Sequence, residues 1–152
     1  MATTPQFLVT EECGRLARWV RLIGYDAAQM PATPVSALYR RAYNEGRVIV
    51  TRNRRVGSSG VVRVVQLADQ GVAEQLRQVM RDAGLAVDPE RLLTRCDQCN
   101  VEVQPVEKTQ VSACVPPYVF ETQQRFRRCP SCRRIYWAGT HCARISEMLK
   151  RL

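Results

Sequence analysis

The feature that most constrains the fold is a pair of cysteine motifs near the C-terminus. Cys96-Asp-Gln-Cys99 and Cys129-Pro-Ser-Cys132 are separated by 29 residues. Each motif places two thiolates on one side of a tight turn, and two such turns facing each other form the four-sulfur cage that suits a structural zinc ion. The motifs therefore predict a zinc ribbon over residues 93–152, with Cys96, Cys99, Cys129 and Cys132 as the metal ligands.

Disulfides or a thioredoxin-like redox pair are the alternative uses of such cysteines. No apolar signal segment follows Met1, and the total of seven cysteines is odd. Both observations favour a reduced, cytoplasmic compartment, in which metal binding is the commoner use of these motifs. The residue after each motif often needs a left-handed backbone, which Asn100 adopts easily and Arg133 adopts only with some strain.

The charge of the chain predicts an anionic partner. Its 152 residues include 23 Lys and Arg against 14 Asp and Glu, a formal net charge of +9 at pH 7. The centre formed by a zinc ion and its four thiolate ligands is negatively charged, but the chain as a whole stays strongly basic. Nucleic acid is the commonest partner of a basic protein. Lys108 and Lys150 are the only lysines. Arginine binds phosphate bidentately and stacks on bases, which favours RNA, although a GC-rich genome gives the same bias. No apolar run reaches the roughly 18 residues of a membrane span.

Strand patterns alternate with helix patterns before the cysteine motifs. Predicted strands cover 6–9, 25–28, 47–51 and 61–65, and predicted helices cover 13–23, 34–45 and 72–83. The second helix has Thr33 as its predicted N-cap and Pro34 as its first residue, and Gly46 and Gly84 end the second and third helices. This alternation predicts an α/β domain over residues 1–92, with a mainly parallel sheet flanked by helices.

Ligand sites in such sheets lie at the carboxyl ends of the strands. The residues predicted at that edge are Thr10, Glu11, Glu12, Thr51, Arg52, Asn53 and Asp69. A metal-dependent nuclease needs several carboxylates there, because Mg²⁺ and Mn²⁺ are held by oxygen atoms and activate the attacking water. This chain offers few acids. Glu11, Glu12 and Asp69 also have a structural explanation, because acidic residues near helix starts are favoured by the helix dipole.

Basic residues cluster in three places that are suited to phosphate: on the first predicted helix, directly after the third predicted strand, and in the ribbon. Arg15, Arg18 and Arg21 recur with a spacing of three, which fits either a phosphate backbone or an ordinary solvated face. In the ribbon, the segments 125–128 and 133–137 interleave arginine with aromatic residues, a pattern that can hold phosphates and stack unpaired bases. Alternatively, Phe126, Tyr136 and Trp137 form the small core of the ribbon. The predicted RNA-binding residues are Arg15, Arg18, Arg52, Arg54, Arg55, Arg125, Arg127, Arg133 and Arg134.

Four segments occur together in an informative order and spacing: Phe7–Asp26, Glu45–Asn53, Val115–Thr122 and Cys129–His141. They resemble the Mut-seven C-terminal RNase domain family, a branch of the PIN-like nucleases that carries a zinc ribbon behind the nuclease core. The resemblance implies a PIN-like α/β fold, action on RNA, and acidic residues that bind a divalent metal.

The chain departs from that family pattern at its acidic positions. The family has acids where this chain has Thr10 and Asn53, and an acidic cluster where it has Pro34–Ala37. Asp26 matches the pattern, and Asp69 matches a later acid. The resemblance therefore implies Asp26 and Asp69, helped by Glu11 or Glu12, as the catalytic residues of a depleted site.

Three functions remain open from the sequence. The favoured one is an RNA-binding protein on a degenerate ribonuclease scaffold, with structural zinc and little or no nuclease activity. The others are an active ribonuclease that uses Mg²⁺ or Mn²⁺, and a zinc-ribbon adaptor that binds another protein. The sequence leaves the oligomeric state open. Cys13, Cys114 and Cys142 are predicted to be buried small residues, and His141 is a disfavoured alternative zinc ligand.

Overall fold

The computed structural model describes residues 3–150, apart from the side chains of residues 140–142 and 144. The chain divides into two compact units, one formed by residues up to Val20 together with Tyr25–Ala86 and the other by Arg21–Gly24 together with residues from Val87 onwards. We call them the core unit and the ribbon unit. The sequence predicts a boundary after residue 92 and gives no sign that Arg21–Gly24 belong with the ribbon.

The core unit contains a four-stranded parallel sheet with the order β2-β1-β3-β4. Its strands are β1 (Gln6–Thr10), β2 (Ala27–Met30), β3 (Arg47–Thr51) and β4 (Val64–Gln66). The helices are α1 (Gly14–Leu22), which follows a 3₁₀ turn at Glu11–Cys13, α2 (Val35–Glu45) and α3 (Val72–Ala83). This arrangement, together with the four-cysteine cluster described below, confirms the predicted fold class.

Both faces of the core sheet are buried. On one face, Leu8 and Ile49 pack against Leu38 and Ala42 of α2. Phe7 alternates with Leu8 along β1, faces the other side of the sheet and is also fully buried. Strands buried on both faces are apolar throughout, as expected of a parallel sheet covered by helices on each side.

Three local predictions for the core unit are wrong. The second strand spans Ala27–Met30 instead of residues 25–28. Pro34, with an extended backbone at φ −73° and ψ 144°, occupies the N-cap of α2, where no side chain caps the helix; the predicted cap, Thr33, lies outside it. The fourth strand begins at Val64 instead of residue 61. The N–H groups of Val62 and Val64 donate to Ser59 Oγ and Ser58 Oγ, each at 3.0 Å. These serine hydroxyls hold the first part of the valine run in a loop.

The ribbon unit is built on a three-stranded antiparallel sheet with the order β5-β6-β7. Its elements are β5 (Gln104–Val106), α4 (Pro117–Thr122), β6 (Phe126–Arg128), β7 (Ile135–Tyr136) and α5 (Thr140–Lys150). Val111, Val115, Val119 and Phe126 form a small buried cluster. A core of this size is too small to stabilise the unit alone, so a cross-link such as a bound metal is needed.

The described part of the chain has no helix with the length and apolar character of a membrane-spanning segment.

Candidate metal centre and basic groove

The four predicted metal ligands converge in the ribbon unit. The Sγ atoms of Cys96, Cys99, Cys129 and Cys132 all lie within 4.8 Å of one another. The Sγ atoms of Cys96 and Cys132 are 3.7 Å apart, whereas a disulfide joins two sulfurs at about 2.05 Å. A tetrahedral zinc site with Zn–S bonds of about 2.3 Å has an S–S edge of about 3.8 Å. The thiolates are therefore arranged to hold a metal ion such as zinc.

The backbone of both cysteine motifs has the turn geometry that such a site needs. The N–H of Asn100 donates to the carbonyl of Cys96, and the N–H of Arg133 donates to the carbonyl of Cys129, each at 2.9 Å. Asn100 and Arg133 have φ angles of 59° and 66°. The left-handed backbone predicted after each motif is therefore confirmed.

The second motif also favours the thiolate form of Cys129. Burial raises the pKa of this thiol. Hydrogen bonds from the amide N–H groups of Cys132 and Ser131, each 3.4 Å from its sulfur, and from the thiols of Cys132 and Cys96 together outweigh burial and lower the pKa to about 7. Metal ions bind the thiolate and not the thiol. Hydrogen bonds within the turn therefore prepare this ligand for coordination.

Tyr136 links the first motif to the ribbon sheet. Its hydroxyl donates to Oδ1 of Asp97 at 2.6 Å and lies 3.1 Å from the Sγ of Cys96. Burial and the bond to Asp97 raise the pKa of Tyr136, so the hydroxyl stays protonated. The side chain of Arg134 lies 3.7 Å from the same Asp97 oxygen. Cys96, one of the four predicted metal ligands, is thus oriented by a residue of β7.

Arg21 does not belong to an exposed basic stripe. Arg15 and Arg18 are exposed, but Arg21 is only 6 % exposed. Its Nη1 donates to the carbonyl oxygen of Asp97 at 2.9 Å. Arg21 therefore supports the first cysteine motif, and the predicted three-arginine stripe is reduced to two residues.

A groove of about 1300 Å³ runs along the ribbon unit. We call it the ribbon groove. Its walls come from the segment around Pro89, from β5 and β6, and from the second cysteine motif with β7. The basic residues that line it are Lys108, Arg125, Arg127, Arg128 and Arg133, and the acidic ones are Glu90 and Glu107. The excess of positive side chains makes the groove suitable for a polyanion.

Three aromatic residues line the ribbon groove but differ in exposure. Phe126 is buried in the ribbon core, and Tyr136 is buried against Cys96. Trp137 is half-buried, with its ring centroid 6.5 Å from that of Phe126. A Cβ atom on Gly139 would lie 2.8 Å from Nε1 of Trp137, so this glycine leaves space for the indole. Of the three, Trp137 offers the most surface to a ligand.

The groove includes only part of the predicted RNA-binding set. Arg125, Arg127 and Arg133 line it, whereas Arg134 is directed to Asp97. The predicted set did not include Arg128 and Lys108, which also line the groove. Arg128 belongs to the same basic segment and could have been included on that signal. Lys108, whose Nζ lies 4.9 Å from the centroid of the Phe120 ring, is far in sequence from this basic segment. No sequence pattern around Lys108 indicated that it lines the groove.

The carboxyl ends of β1 and β3 carry a closed hydrogen-bond network. The hydroxyls of Thr10 and Thr51 are 3.0 Å apart, and both side chains are fully buried. Oε1 of Glu12 accepts from Thr10 at 2.5 Å and from Thr51 at 3.3 Å. Asn53 donates its N–H to Thr51 Oγ1, and its side-chain oxygen accepts from the N–H of Arg55 at 3.0 Å. Asn53 therefore serves the turn after β3.

The predicted catalytic acids do not all meet at this edge. Asp26 precedes β2, at the amino end of the sheet, where its Oδ1 lies 2.7 Å from Nη1 of Arg47. Glu11 and Asp69 are exposed, and only Glu12 contacts Thr10 in the network above. Among the described side chains, convergent groups of three or more histidine, cysteine or acidic residues are limited to the four cysteines.

The cysteines outside the motifs differ from one another. Cys13 is buried, as predicted, and burial together with the nearby charge of Glu12 raises its pKa. Cys114 is exposed, so its predicted burial is wrong. The side chains of His141 and Cys142 lie outside the described residues.

Comparison with known families decides the classification. The family model described as the Mut7-C RNAse domain matches residues 5–149. The chain belongs to this family. No curated protein and no solved structure matches the chain. Membership of the Mut7-C family supports a ribonuclease-like or RNA-related role and agrees with the resemblance seen in the sequence.

Two residues of this Mut7-C protein stand where the resemblance to the family implied acids. Thr10 lies within the hydroxyl network and Asn53 within the turn after β3. Both are uncharged, and Glu12 is the acid that contacts the network. The exposed side chains of Arg52, Arg54 and Arg55 follow β3 at the same edge. The edge therefore combines one hydrogen-bonded carboxylate with several cationic groups.

Proposed function

We propose that this Mut7-C protein binds single-stranded RNA in the ribbon groove and has little or no nuclease activity. The observation that carries the proposal is the composition of the groove, with five basic side chains and the half-buried indole of Trp137. Basic side chains neutralise phosphates, and an aromatic face stacks on a base of any sequence. Family membership independently supports an RNA-related role.

The indole favours an unpaired strand over a duplex. Bases in double-stranded RNA are already stacked on each other, and their major-groove edges lie in a deep, narrow groove. Only a base that has left the stack can lie against Trp137. Contacts to phosphates carry no sequence information, so we expect weak sequence preference in this groove.

Exposed arginines on the core unit give a second basic surface. They are Arg15, Arg18, Arg52, Arg54 and Arg55. We assign these side chains to phosphate contacts that add affinity without specificity. Arg134, directed to Asp97, is assigned to support of the first cysteine motif.

We expect low nuclease activity because few carboxylates converge at the carboxyl ends of the strands. Hydrolysis of a phosphodiester by a bound Mg²⁺ or Mn²⁺ needs carboxylates that converge on the ion. Thr10 and Asn53 supply uncharged groups, and Glu12 is bonded to the two threonines. Asp26 is paired with Arg47 at the opposite end of the sheet. We propose zinc as the metal of the four cysteines, with a structural role.

Fluorescence anisotropy with a labelled single-stranded oligoribonucleotide tests RNA binding. We expect binding at low salt and a steep loss of affinity as salt rises, because phosphate contacts release counterions. Replacing Arg125, Arg127 and Arg133 together with alanine should abolish most of the binding. The matched control replaces Arg77 and Arg81 on α3 and should change it little. Absence of binding at low salt, or equal loss in both variants, would refute the proposal.

An active metal-dependent ribonuclease remains the second candidate, because Glu12 is a carboxylate placed at the strand ends of a ribonuclease-like family member. A cleavage assay with Mg²⁺ or Mn²⁺ separates the two functions. Robust cleavage that chelators stop, and that Glu12→Gln or Asp69→Asn abolishes, would favour the enzyme. A protein adaptor would instead co-purify with a protein and without RNA.

A further inference from the structure

We propose that the metal centre controls the ribbon groove, so that oxidation of its thiolates releases the metal and weakens RNA binding. This inference rests on the proposed function of the groove. It adds a regulatory input to that function, namely the redox state of the cysteines.

The second cysteine motif is itself a wall of the groove. Pro130 lies inside this motif, Arg133 follows it directly, and both line the groove. The backbone of Arg133 has a φ of 66° and is held by its N–H bond to the carbonyl of Cys129. A non-glycine residue adopts this conformation only when its surroundings enforce it. A metal held by Cys129 and Cys132 would close the turn and would thereby fix the position of the Arg133 side chain.

The first motif reaches the groove through Tyr136. Tyr136 is among the residues that line the groove, and its hydroxyl contacts Asp97 and the sulfur of Cys96. Trp137 is the next residue along the chain. If Cys96 lost the metal, its sulfur would no longer hold the hydroxyl of Tyr136 in place. The indole of the adjacent Trp137 would then also lose its fixed position. Both motifs therefore determine the shape of the proposed binding surface.

The sulfur atoms are placed for oxidation by a peroxide. Cys132 is exposed, and the buried Cys96 sulfur is 3.7 Å from it. The Cys132 thiolate attacks one oxygen of hydrogen peroxide, breaks the O–O bond, forms a sulfenic acid and releases hydroxide. The Cys96 thiolate then attacks that sulfur, forms a disulfide and displaces a second hydroxide. Two thiolates lose two electrons, the peroxide gains them, and two protons from solvent complete two water molecules.

This step removes half of the metal ligands. Structural zinc sites use four protein ligands, and a disulfide sulfur is no longer a thiolate. The two remaining thiolates, Cys99 and Cys129, would be too few to retain the ion. Arg133 and Trp137 then lose the two turns that position them.

The test uses the full-length, zinc-loaded protein. Hydrogen peroxide is added stepwise, released zinc is measured with a chromogenic chelator, disulfides are mapped by mass spectrometry, and affinity for a single-stranded oligoribonucleotide is measured by anisotropy. We expect zinc release to parallel formation of the Cys96–Cys132 disulfide. RNA affinity should fall at least about tenfold, because Arg133 and Trp137 are no longer held in position and one lost charge-assisted contact already has an effect of that size. Reductant plus zinc should restore it. Cys114→Ser, which removes an exposed cysteine outside the motifs, should respond like the wild type.

A second sample separates metal loss from disulfide formation. Protein stripped by a chelator under reducing conditions should bind RNA as weakly as the oxidised protein and recover on addition of zinc. Full RNA affinity after zinc release, or no zinc release by peroxide, would overturn the inference and leave the proposed function intact. Failure of the reduced, zinc-loaded protein to bind RNA at low salt would instead refute the proposed function.

Discussion

The hydroxyl groups of Thr10 and Thr51 lie 3.0 Å apart at the carboxyl ends of two neighbouring parallel strands. Both hydroxyls also donate hydrogen bonds to Oε1 of Glu12. An acid at position 10 would bring a second negative charge against Glu12, and two carboxylates this close need a bound cation or a shared proton between them. With threonine at position 10, hydrogen bonds take the place of the cation.

Restoring the acids should create a cation site. We expect Thr10→Asp combined with Asn53→Asp to raise Mg²⁺ or Mn²⁺ affinity by about tenfold or more, because each added carboxylate supplies a hard, charged oxygen ligand. Isothermal titration calorimetry measures this binding, and a cleavage assay shows whether activity returns. Thr10→Asn with wild-type Asn53 is the control of matched size without charge. Equal metal binding by the control and the double variant would contradict the prediction.

Asp26 should contribute to stability and not to cleavage. Its carboxylate is 2.7 Å from Arg47, with the two side chains 21 % and 12 % exposed. We expect Asp26→Asn to lower the free energy of unfolding by about 1–3 kcal/mol, because Arg47 loses a charged partner in a largely buried setting. Urea denaturation measures the change. Asp82→Asn, which breaks the exposed pair with Arg81, should cost less than about 1 kcal/mol. A selective loss of nuclease activity in Asp26→Asn would argue for a catalytic role instead.

The cysteine motifs should be essential for the ribbon unit. Metal binding supplies about 10–16 kcal/mol of apparent free energy in small zinc modules at pH 7. We therefore expect Cys96→Ser or Cys129→Ser to unfold the ribbon while the core unit survives, as monitored by two-dimensional NMR. Elemental analysis should find one zinc ion per wild-type chain. Cys114→Ser, a control outside the motifs, should leave metal content and spectrum unchanged. An intact ribbon spectrum after strong chelation would contradict the prediction.

Neighbouring arginines should differ in their effect on RNA binding. Arg133 lines the ribbon groove, whereas Arg134 is directed to Asp97. We expect Arg133→Ala to weaken RNA binding and to reduce the slope of log affinity against log salt by about one, the signature of a lost phosphate contact. Arg134→Ala should leave the slope unchanged. Anisotropy titrations at several salt concentrations make the comparison, and identical slopes for the two variants would count against the assignment.

Two cysteines outside the motifs should react at different rates. Burial and the charge of Glu12 raise the pKa of Cys13, while Cys114 is exposed. Alkylation requires the thiolate, so near pH 8, below the ordinary thiol pKa of about 8.5, we expect Cys114 to be labelled well before Cys13. Mass spectrometry after timed iodoacetamide treatment reports both sites. In denaturant the two rates should converge. Equal rates in the folded protein would show that Cys13 is accessible.

Structural features that depend on residues close together in the sequence were predicted well. The helix over residues 72–83 and its end at Gly84, with a φ of 66°, follow from one apolar stripe and one glycine. The spacing of the cysteines likewise indicated which four sulfur atoms converge, because each motif is a local turn.

Features that depend on distant contacts were not predicted. Arg21 is 76 residues from Asp97, whose carbonyl it binds, and no pattern around Arg21 distinguishes it from the exposed Arg18. The resemblance to the family also grouped Asp26 with Glu11, Glu12 and Asp69 as predicted catalytic residues, and the structure places Asp26 beside Arg47, just before the amino end of β2. The start of the fourth strand was also predicted wrongly. The hydroxyls of Ser58 and Ser59 accept hydrogen bonds from backbone N–H groups of the valine run and hold its first residues in a loop.

The backbone conformation of Arg133 sets a limit on engineering this protein for heat resistance. A glycine at this position would relieve about 1–2 kcal/mol of left-handed strain, and a stability-guided redesign would choose it. The same change would remove a cation from the proposed RNA surface. Thermal tolerance and affinity are therefore opposed at this one residue, and variants selected only for folding would tend to lose binding without any visible damage to the fold.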